Sequence, residues 1–267
     1  MFEATFIHST IFKQLIDALK DMVTDVNIEC TTSGIRAQAM DPSHASLACL
    51  KITTEAFETY RCDRNVVLGL NIANLSKILK SLEAGDVLSI SYGKSENTVD
   101  FCITSKRMDK VANFEIILIN INPESLAIPD EQADAEVTVP SSKFGQLCKD
   151  LATFGDTVQV TASKSSINFS SEGSLGTAKI TLRQAVDVDE SDAGNVTIDC
   201  REEVDESYSL KFLSSFTKAT PLAKNVTLNL FRGAPVCVEF KLNDGEWGQL
   251  KFYLAPKARE NEEQQKG

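Results

Sequence analysis

Several features are scarce or missing in this chain of 267 residues. No apolar run approaches the roughly 18 to 20 residues that a membrane-spanning helix needs. The first ten residues lack the basic segment and long apolar core of a secretory signal. With 42% apolar residues, the chain can still bury a large core. We therefore expect a soluble, intracellular protein that has no membrane partner.

Cysteine pairs with metal-binding spacing are also missing. The seven cysteines are an odd number, spread from Cys30 to Cys237, and no CxxC occurs among them. A secreted disulfide framework usually has an even number of cysteines, and zinc sites usually have closely spaced pairs. We therefore expect buried, reduced thiols and neither a disulfide framework nor a metal site.

Catalytic motifs are absent as well. The sequence has no GxxxxGK[ST], no GxGxxG after a strand and no HExxH, so nothing predicts a nucleotide cofactor or a zinc protease. Asp41, Ser43 and His44 lie within four residues, but the members of a catalytic triad normally converge from separate parts of a chain. We interpret these residues as a turn with satisfied backbone groups. The chain is predicted to be no enzyme, with no catalytic residue, cofactor or metal.

The apolar residues mostly alternate with polar ones, which is typical of strands. Predicted strands are 26–30, 46–53, 87–92, 98–103, 111–119, 158–162, 178–182, 226–230, 235–242 and 248–254. Helical spacing occurs in four segments, 9–20, 72–81, 141–153 and 209–219. In the first and third, apolar residues at i, i+3, i+4 and i+7 form one stripe that can pack on a sheet.

An internal repeat relates the two halves of the chain. An offset of 132 residues superposes Phe12 on Phe144, Leu15 on Leu147, Leu19 on Leu151, Ile28 on Val160 and Ile35 on Ile167. An offset near 138 then superposes Leu75 on Leu213, Ile78 on Phe216 and Lys80 on Lys218. A nearly constant offset across helix, turn and strand indicates a duplicated domain.

A proline-containing acidic segment separates the halves. We predict domain 1 at 1–117, a linker at 118–135, domain 2 at 136–256 and a charged tail at 257–267. Leu126 and Ile128 are apolar residues that a solvated tether does not need, so they should dock on another surface. A second acidic stretch, 187–192, is predicted to be a surface loop.

The positive charge concentrates on the four predicted helices. They hold eight lysines, no arginine and two acids, a net charge of +6, whereas the remaining residues carry −17. Lysines on one amphipathic helix can be simply its solvated face. Four helices with the same bias in an acidic chain are also typical of a polyanion-binding surface. Lysine attracts phosphates without the rigid fork by which arginine recognises bases.

Several longer motifs resemble one family, the proliferating cell nuclear antigens, which are the eukaryotic sliding clamps. They are MFEA (1–4), ALKD (18–21), MDPSH (40–44), TYRCDRN (59–65), SKILK (76–80), FTKATPL (216–222) and YLAPK (253–257). The similarity covers essentially the whole chain. It implies an α+β fold of two similar clamp domains, which assemble as a homotrimeric ring with helices lining the inside and antiparallel sheets outside.

The resemblance also implies roles for particular residues. The DNA-binding lysines would be Lys13, Lys20, Lys77, Lys80, Lys149, Lys211 and Lys218. Subunits would join through strands 109–117 and 175–183, with Lys110, Phe114, Leu175, Ala178 and Ile180 at the interface. Phe114 stands where the family often has a tyrosine, so the apolar contact would survive without the hydroxyl hydrogen bond.

Partner proteins of this family dock a short motif, the PIP-box, in an apolar pocket under the linker. The corresponding residues here are Met40, His44, Leu47, Leu126, Ile128, Pro129, Pro235, Tyr253, Ala255 and Pro256. Lys164 corresponds to the family's ubiquitin acceptor.

The resemblance implies a nuclear processivity factor whose partners are double-stranded DNA, copies of itself, DNA polymerase, a clamp loader and PIP-box proteins. Two alternatives stay open on this fold. One is a scaffold that only docks proteins, and the other is a subunit of a checkpoint clamp.

Overall fold

The computed structural model describes residues 1–122, 126–128, 131–184 and 195–258. The chain divides into two compact units. Unit 1 comprises Met1–Pro129, Lys218–Ala223 and Glu239–Phe252, and unit 2 comprises Asp130–Thr217, Lys224–Val238 and Tyr253–Gly267. The predicted domain limits stay a prediction. Pro129, the acidic stretch 187–192 and the tail from residue 259 lie outside the described residues.

Unit 1 contains two helices and two antiparallel sheets. Its elements are β1 (Phe2–Phe6), α1 (Ser9–Leu19), β2 (Asp25–Thr31), β3 (Gly34–Met40), β4 (Ser46–Thr53), β5 (Phe57–Cys62), β6 (Val66–Asn71), α2 (Ile72–Leu79), β7 (Val87–Tyr92), β8 (Thr98–Thr104) and β9 (Val111–Ile117). One sheet has the order β5-β1-β7-β8-β9, and the other includes the run β4-β3-β2-β6. Strand β9 therefore lies at the edge of its sheet.

Unit 2 repeats this organisation. Its elements are β10 (Ala135–Pro140), α3 (Ser141–Ala152), β11 (Thr157–Ala162), β12 (Ser166–Gly173), β13 (Gly176–Arg183), β14 (Thr197–Cys200), β15 (Val204–Ser209), α4 (Leu210–Phe216) and β16 (Asn225–Leu230). One sheet has the order β13-β12-β11-β15, and the other includes the run β14-β10-β16. Strand β13 therefore lies at an edge.

Each of the last two strands has some residues in unit 1 and some in unit 2. Strand β17 (Val236–Leu242) begins in unit 2 and belongs to unit 1 from Glu239. Most of β18 (Gly248–Leu254) belongs to unit 1, where it lies next to β4 in the sheet order.

The first and third predicted helices and their apolar stripes are confirmed. Phe12, Leu15, Ile16 and Leu19 of α1 are each at most 4% exposed, and so are Phe144, Leu147, Cys148 and Leu151 of α3. Burying such side chains stabilises a helix far more than its intrinsic propensity does. Each stripe therefore anchors its helix in the core and leaves the opposite face to solvent.

The strand boundaries show where alternation fails as a signal. Strands β4, β7 and β18 match the predicted limits. Eight of the described strands are not predicted by alternation, namely β1, β3, β5, β6, β10, β12, β14 and β15. In β6, Leu68, Gly69 and Leu70 are buried in succession, so no polar face breaks the apolar run. In β15 Glu206 is buried, and its carboxylate accepts a hydrogen bond from the main-chain N–H of Gly233 at 2.8 Å, which offsets part of the cost of burial.

The predicted duplication agrees with the element order. The starts of α1 and α3 are 132 residues apart, and those of β2 and β11 are likewise 132 apart. After the second helices, β7 and β16 differ by 138, as do β8 and β17. In this correspondence β18 is the counterpart of β9, and β4 is the counterpart of β13.

Among the described residues, no helix combines the length and the apolar character that crossing a membrane would require.

Candidate functional site

Unit 1 carries four of the predicted lysines: Lys13 and Lys77 lie within α1 and α2, and Lys20 and Lys80 directly follow the last residues of these helices. Lys20, Lys77 and Lys80 are exposed, and Lys13 is half-buried. The Nζ of Lys13 donates to the main-chain oxygen of Leu82 at 2.8 Å. Lys13 and Lys80 both line a cleft of about 460 Å³. The packing of α1 and α2 thus brings two of these cations to one opening.

Unit 2 carries Lys149 on α3 and Lys211 on α4, both exposed. Within the described ranges, neither ammonium group makes a hydrogen bond or an ion pair. The neighbouring acid Asp150 instead accepts from the Nε2 of Gln146 at 2.7 Å. These two charges are therefore available to an external anion.

Lys218 lies on a different element from the one predicted. The α-helix ends at Phe216, and the chain continues as a 3-10 helix, Thr217–Leu222. Pro221 explains the change, because its ring would clash with the carbonyl four residues earlier in an α-helix. Lys218 forms an ion pair with Asp21, another residue of unit 1.

The predicted docking residues of unit 1 fall into two groups. Met40, Leu126 and Ile128 line a groove of about 720 Å³, whereas His44 and Leu47 do not line it. The side chains of Leu126 and Ile128 are 46% and 38% exposed, and Leu47 is buried. The groove therefore has an apolar rim formed by the linker.

The linker contacts include residues that the sequence analysis did not single out. Gln38 exchanges two hydrogen bonds with the main chain of Leu126, and the Nδ2 of Asn27 donates to the oxygen of Ile121 at 3.1 Å. No motif or spacing marks these amides, since their role depends on which strands become neighbours.

The predicted docking residues of unit 2 have mixed exposure. Pro235 and Ala255 are exposed, while Tyr253 and Pro256 are half-buried. Just after them, Lys257 donates from its main-chain N–H to the oxygen of Ser207 at 2.7 Å. This bond holds the end of the described chain against β15.

The segment with Asp41, Ser43 and His44 is a turn, as predicted. The carboxylate of Asp41 accepts hydrogen bonds from the main-chain N–H and hydroxyl groups of both Ser43 and Ser46. Burial by itself opposes ionisation of Asp41, but these hydrogen bonds outweigh it and lower the pKa of the carboxyl group. Asp41 therefore acts as a structural anion that closes the β3–β4 turn.

The two edge strands contain the predicted interface residues, with two exceptions. Phe114 of β9 and Ala178 and Ile180 of β13 are half-buried. Lys110 precedes β9 and Leu175 precedes β13, so these two lie one residue outside the strands. Leu175 is 74% exposed, as expected for an apolar residue in an uncovered turn.

Lys164, the predicted modification site, is exposed in the turn between β11 and β12. Its side chain is therefore accessible to a modifying enzyme.

The cysteines only partly match the prediction of buried thiols. Cys30, Cys62, Cys148 and Cys237 are buried, but Cys49, Cys102 and Cys200 are only half-buried. Burial raises the pKa of Cys148 to about 12, so this thiol stays protonated and unreactive at neutral pH. In the described ranges, no three His, Cys, Asp or Glu side chains are grouped to hold a metal ion.

The geometry thus defines two units that each have a pair of lysine-bearing helices, together with a groove under the linker whose rim is apolar and whose lining includes Asp25, Glu29, Arg36 and Lys51. The chain belongs to the proliferating cell nuclear antigen family, because the N-terminal domain of that family matches residues 1–125 and its C-terminal domain matches residues 127–257. This membership confirms the predicted family and the clamp fold of two similar α+β domains. It also indicates a scaffold rather than an enzyme, with DNA replication and repair as its setting.

Proposed function

We propose that this chain is a DNA sliding clamp and processivity factor, active in the nucleus as a homotrimeric ring around duplex DNA. The observation that carries the proposal is that both family domains present lysines on their helices while the rest of the chain is acidic. The four segments predicted as helices, 9–20, 72–81, 141–153 and 209–219, carry +6, and the rest of the chain carries −17. Such a ring would attract DNA to its helices and repel it from its exterior.

The residue type of this surface supports sliding rather than sequence recognition. The proposed DNA-binding residues are all lysines, namely Lys13, Lys20, Lys77, Lys80, Lys149, Lys211 and Lys218. Contacts to phosphates position a protein on DNA but carry no sequence information. These contacts also weaken steeply as the salt concentration rises. Encirclement by the ring, rather than the strength of the phosphate contacts, would therefore retain the clamp on DNA.

Ring closure is supported by a pair of neighbouring strands, β4 and β18, that correspond in the duplication to the edge strands β13 and β9. In unit 1, β18 lies beside β4, and these strands correspond to β9 and β13 in the duplication. If β9 of one copy lay beside β13 of the next, the same kind of pairing would cover two exposed edges. Such a head-to-tail contact generates a closed ring when the rotation per subunit permits.

Charge on the two edges favours this pairing. Glu115 is exposed on β9, whereas Lys179 and Arg183 are exposed on β13. Opposite charges on paired strands attract, so an unlike pair is favoured over two copies of the same edge. We propose Lys110, Phe114, Leu175, Ala178 and Ile180 as interface residues.

The groove beneath the linker is the proposed docking site for DNA polymerase, clamp loader and other PIP-box proteins. Of the residues that the resemblance implies for docking, Met40, Leu126 and Ile128 line this groove. The others remain proposed docking residues outside the described lining of the groove, namely His44, Leu47, Pro129, Pro235, Tyr253, Ala255 and Pro256. Docking on a ring raises the effective concentration of a weakly binding polymerase at the primer end. Lys164 is the proposed ubiquitin acceptor.

The decisive experiment compares two forms of one DNA after loading by a clamp loader. The ring should persist on a closed circular plasmid and escape within minutes after the plasmid is cut. Equal loss from both forms would contradict encirclement. Light scattering at low concentration should give the mass of a trimer, whereas a monomer would favour a subunit of a mixed checkpoint clamp.

A further inference from the structure

The linker follows one row of paired residues across unit 1. Gly69 of β6 is the register partner of Asn27 of β2, Asn27 is the partner of Gln38 of β3, and Gln38 is the partner of Cys49 of β4. Side chains that are directly opposite on neighbouring strands point to the same face of a sheet. This row, Gly69-Asn27-Gln38-Cys49, therefore forms a continuous track perpendicular to the strands.

Three linker residues, Ile119, Ile121 and Leu126, bond in chain order to successive members of the row. The N–H of Ile119 donates to the oxygen of Gly69 at 3.0 Å, and the Nδ2 of Asn27 donates to the oxygen of Ile121 at 3.1 Å. At Gly69 the approach is so close that a Cβ atom would lie 2.0 Å from the Ile119 oxygen. The start of the linker is thus held by a glycine and an amide.

Gln38 holds the next described linker segment at two points. Its Oε1 accepts from the N–H of Leu126 at 2.9 Å, and its Nε2 donates to the oxygen of Leu126 at 3.0 Å. The side-chain amide thus satisfies both main-chain groups of one residue, as a neighbouring strand would. The main chain of Gln38 is itself paired on both sides within the sheet, so the amide projects from a rigid base.

We propose that Gln38 is a positioning residue for the docking groove, where it holds Leu126 and Ile128 at the rim before a partner arrives. This inference rests on the proposed docking function. Ordering a free linker during binding would cost conformational entropy, and a linker already held in place avoids most of that cost. Gln38 contributes through the linker and need not contact the partner.

The first test measures amide hydrogen exchange in the full chain without any partner. Gln38→Met keeps the size of the side chain but removes both hydrogen bonds, so exchange at Leu126 should accelerate about tenfold. Exchange at Ile119, which bonds to Gly69, should not change. Gln38→Glu keeps an acceptor for the Leu126 N–H and should give an intermediate rate.

The second test measures the affinity of a synthetic PIP-box peptide by calorimetry. Gln38→Met should weaken binding about tenfold, because the peptide must then order the linker. Gln159→Met is the matched control, since Gln159 is an exposed strand glutamine in unit 2 that bonds to Asp205. This variant should bind the peptide like the unmodified protein.

The outcomes separate the inference from the function on which it rests. Unchanged exchange at Leu126 in Gln38→Met would overturn the inference that Gln38 holds the linker, whatever the affinity for the peptide. Faster exchange with unchanged affinity would overturn the role of Gln38 in positioning the groove for a partner. Failure of the unmodified protein to bind the peptide would refute the docking function, while the exchange data would still decide whether Gln38 holds the linker.

Discussion

In unit 1, Lys20 at the end of α1 and Lys218 of the 3-10 helix each have an acidic partner, whereas Lys149 on α3 and Lys211 on α4 of unit 2 have none among the described residues. Lys20 lies 2.9 Å from Asp17, and Lys218 pairs with Asp21. These pairs are about 40% exposed or more, so they add little to stability. They do reduce the positive charge available to an external phosphate.

The comparison shows that the number of lysines does not measure the strength of a basic surface. Both helix pairs follow the same apolar pattern and bury it in the same way, since the duplication preserved what the core requires. The solvent faces had no such constraint and acquired different partners. We therefore expect the two buried faces to contribute equally to the free energy of unfolding. The two exposed faces should contribute unequally to the affinity for DNA.

The hairpins at corresponding places also differ. The β3–β4 turn is closed by the carboxylate of Asp41, whereas the β12–β13 turn follows Gly173 and enters Gly176 at a φ of 121°. A left-handed φ is readily adopted by glycine and by few other residues. One hairpin therefore depends on a charge and the other on backbone freedom.

The largest expected effect tests the equality of the two cores. Phe12→Ala and Phe144→Ala should each lower the free energy of unfolding by about 3 to 5 kcal/mol, because each phenyl ring is 1% exposed and leaves a cavity. Urea unfolding of both variants measures the effect, with the exposed Lys143→Ala as a control. A difference above about 2 kcal/mol between the two phenylalanine variants would contradict equivalent packing.

The next effect distinguishes the two hairpins by pH. Asp41→Asn should cost about 1 to 3 kcal/mol at neutral pH, because the hydrogen bonds to a charged acceptor are weakened. The folded-state pKa of Asp41 is lowered, so its stabilisation is present above the unfolded pKa of about 3.9 and is lost as pH falls through the folded pKa.

Unfolding free energies measured from neutral to acidic pH give the test. The acid-induced loss should be smaller in Asp41→Asn than in the unmodified protein, because the variant has no carboxylate to protonate at this position. Glu172→Gln, a change at the exposed end of β12, should leave the loss unchanged. If the free energy of unfolding depended on pH in the same way in Asp41→Asn and in the unmodified protein, the proposed stabilising role of the Asp41 carboxylate would be wrong.

A smaller effect distinguishes the basic surfaces. Replacing Lys149 and Lys211 by Ala should lower DNA affinity about tenfold at low salt and reduce its salt dependence, because uncompensated charges release counterions. The matched variant with Lys20 and Lys218 replaced by Ala should lose about threefold, because each lysine already has an acidic neighbour. Fluorescence anisotropy over a salt series measures both affinities. Equal losses would contradict the expectation that Lys149 and Lys211 contribute more to DNA binding than Lys20 and Lys218.

The smallest effect reverses the previous one. Asp17→Asn combined with Asp21→Asn should release Lys20 and Lys218 and raise DNA affinity about twofold to threefold at low salt. The change in unfolding free energy should stay below about 1 kcal/mol, because exposed ion pairs contribute little. Anisotropy and urea unfolding of one preparation test both statements, and unchanged affinity would mean that these acids do not mask the lysines.

The first helix was predictable nearly to the residue, but the end of the fourth helical segment and the position of Lys218 were not. The segment predicted at 9–20 is α1 at Ser9–Leu19, because apolar spacing and burial agree there. The fourth segment was predicted too long, since Pro221 converts its end to a 3-10 helix. Lys218 consequently lies on another element, where it meets Asp21, a partner that helical spacing could not reveal.

The linker contacts were the least predictable part. Leu126 and Ile128 were expected to dock because they are apolar, yet the groups that hold Leu126 in place are polar. Gln38 and Asn27 occupy ordinary positions in β3 and β2, and nothing in their spacing differs from that of other strand amides. Only the register of the two strands places them side by side beneath the linker.

The order of amino acids by itself determined the duplicated helices and strands, the excess of lysine on the helices and the family of the chain. Those properties follow from local spacing and composition, which act within one element. The tertiary structure alone decided which lysines have acidic partners, which strands lie at edges and which amides hold the linker. Such pairings join residues distant in the chain, and only packing and strand register bring them within hydrogen-bonding distance.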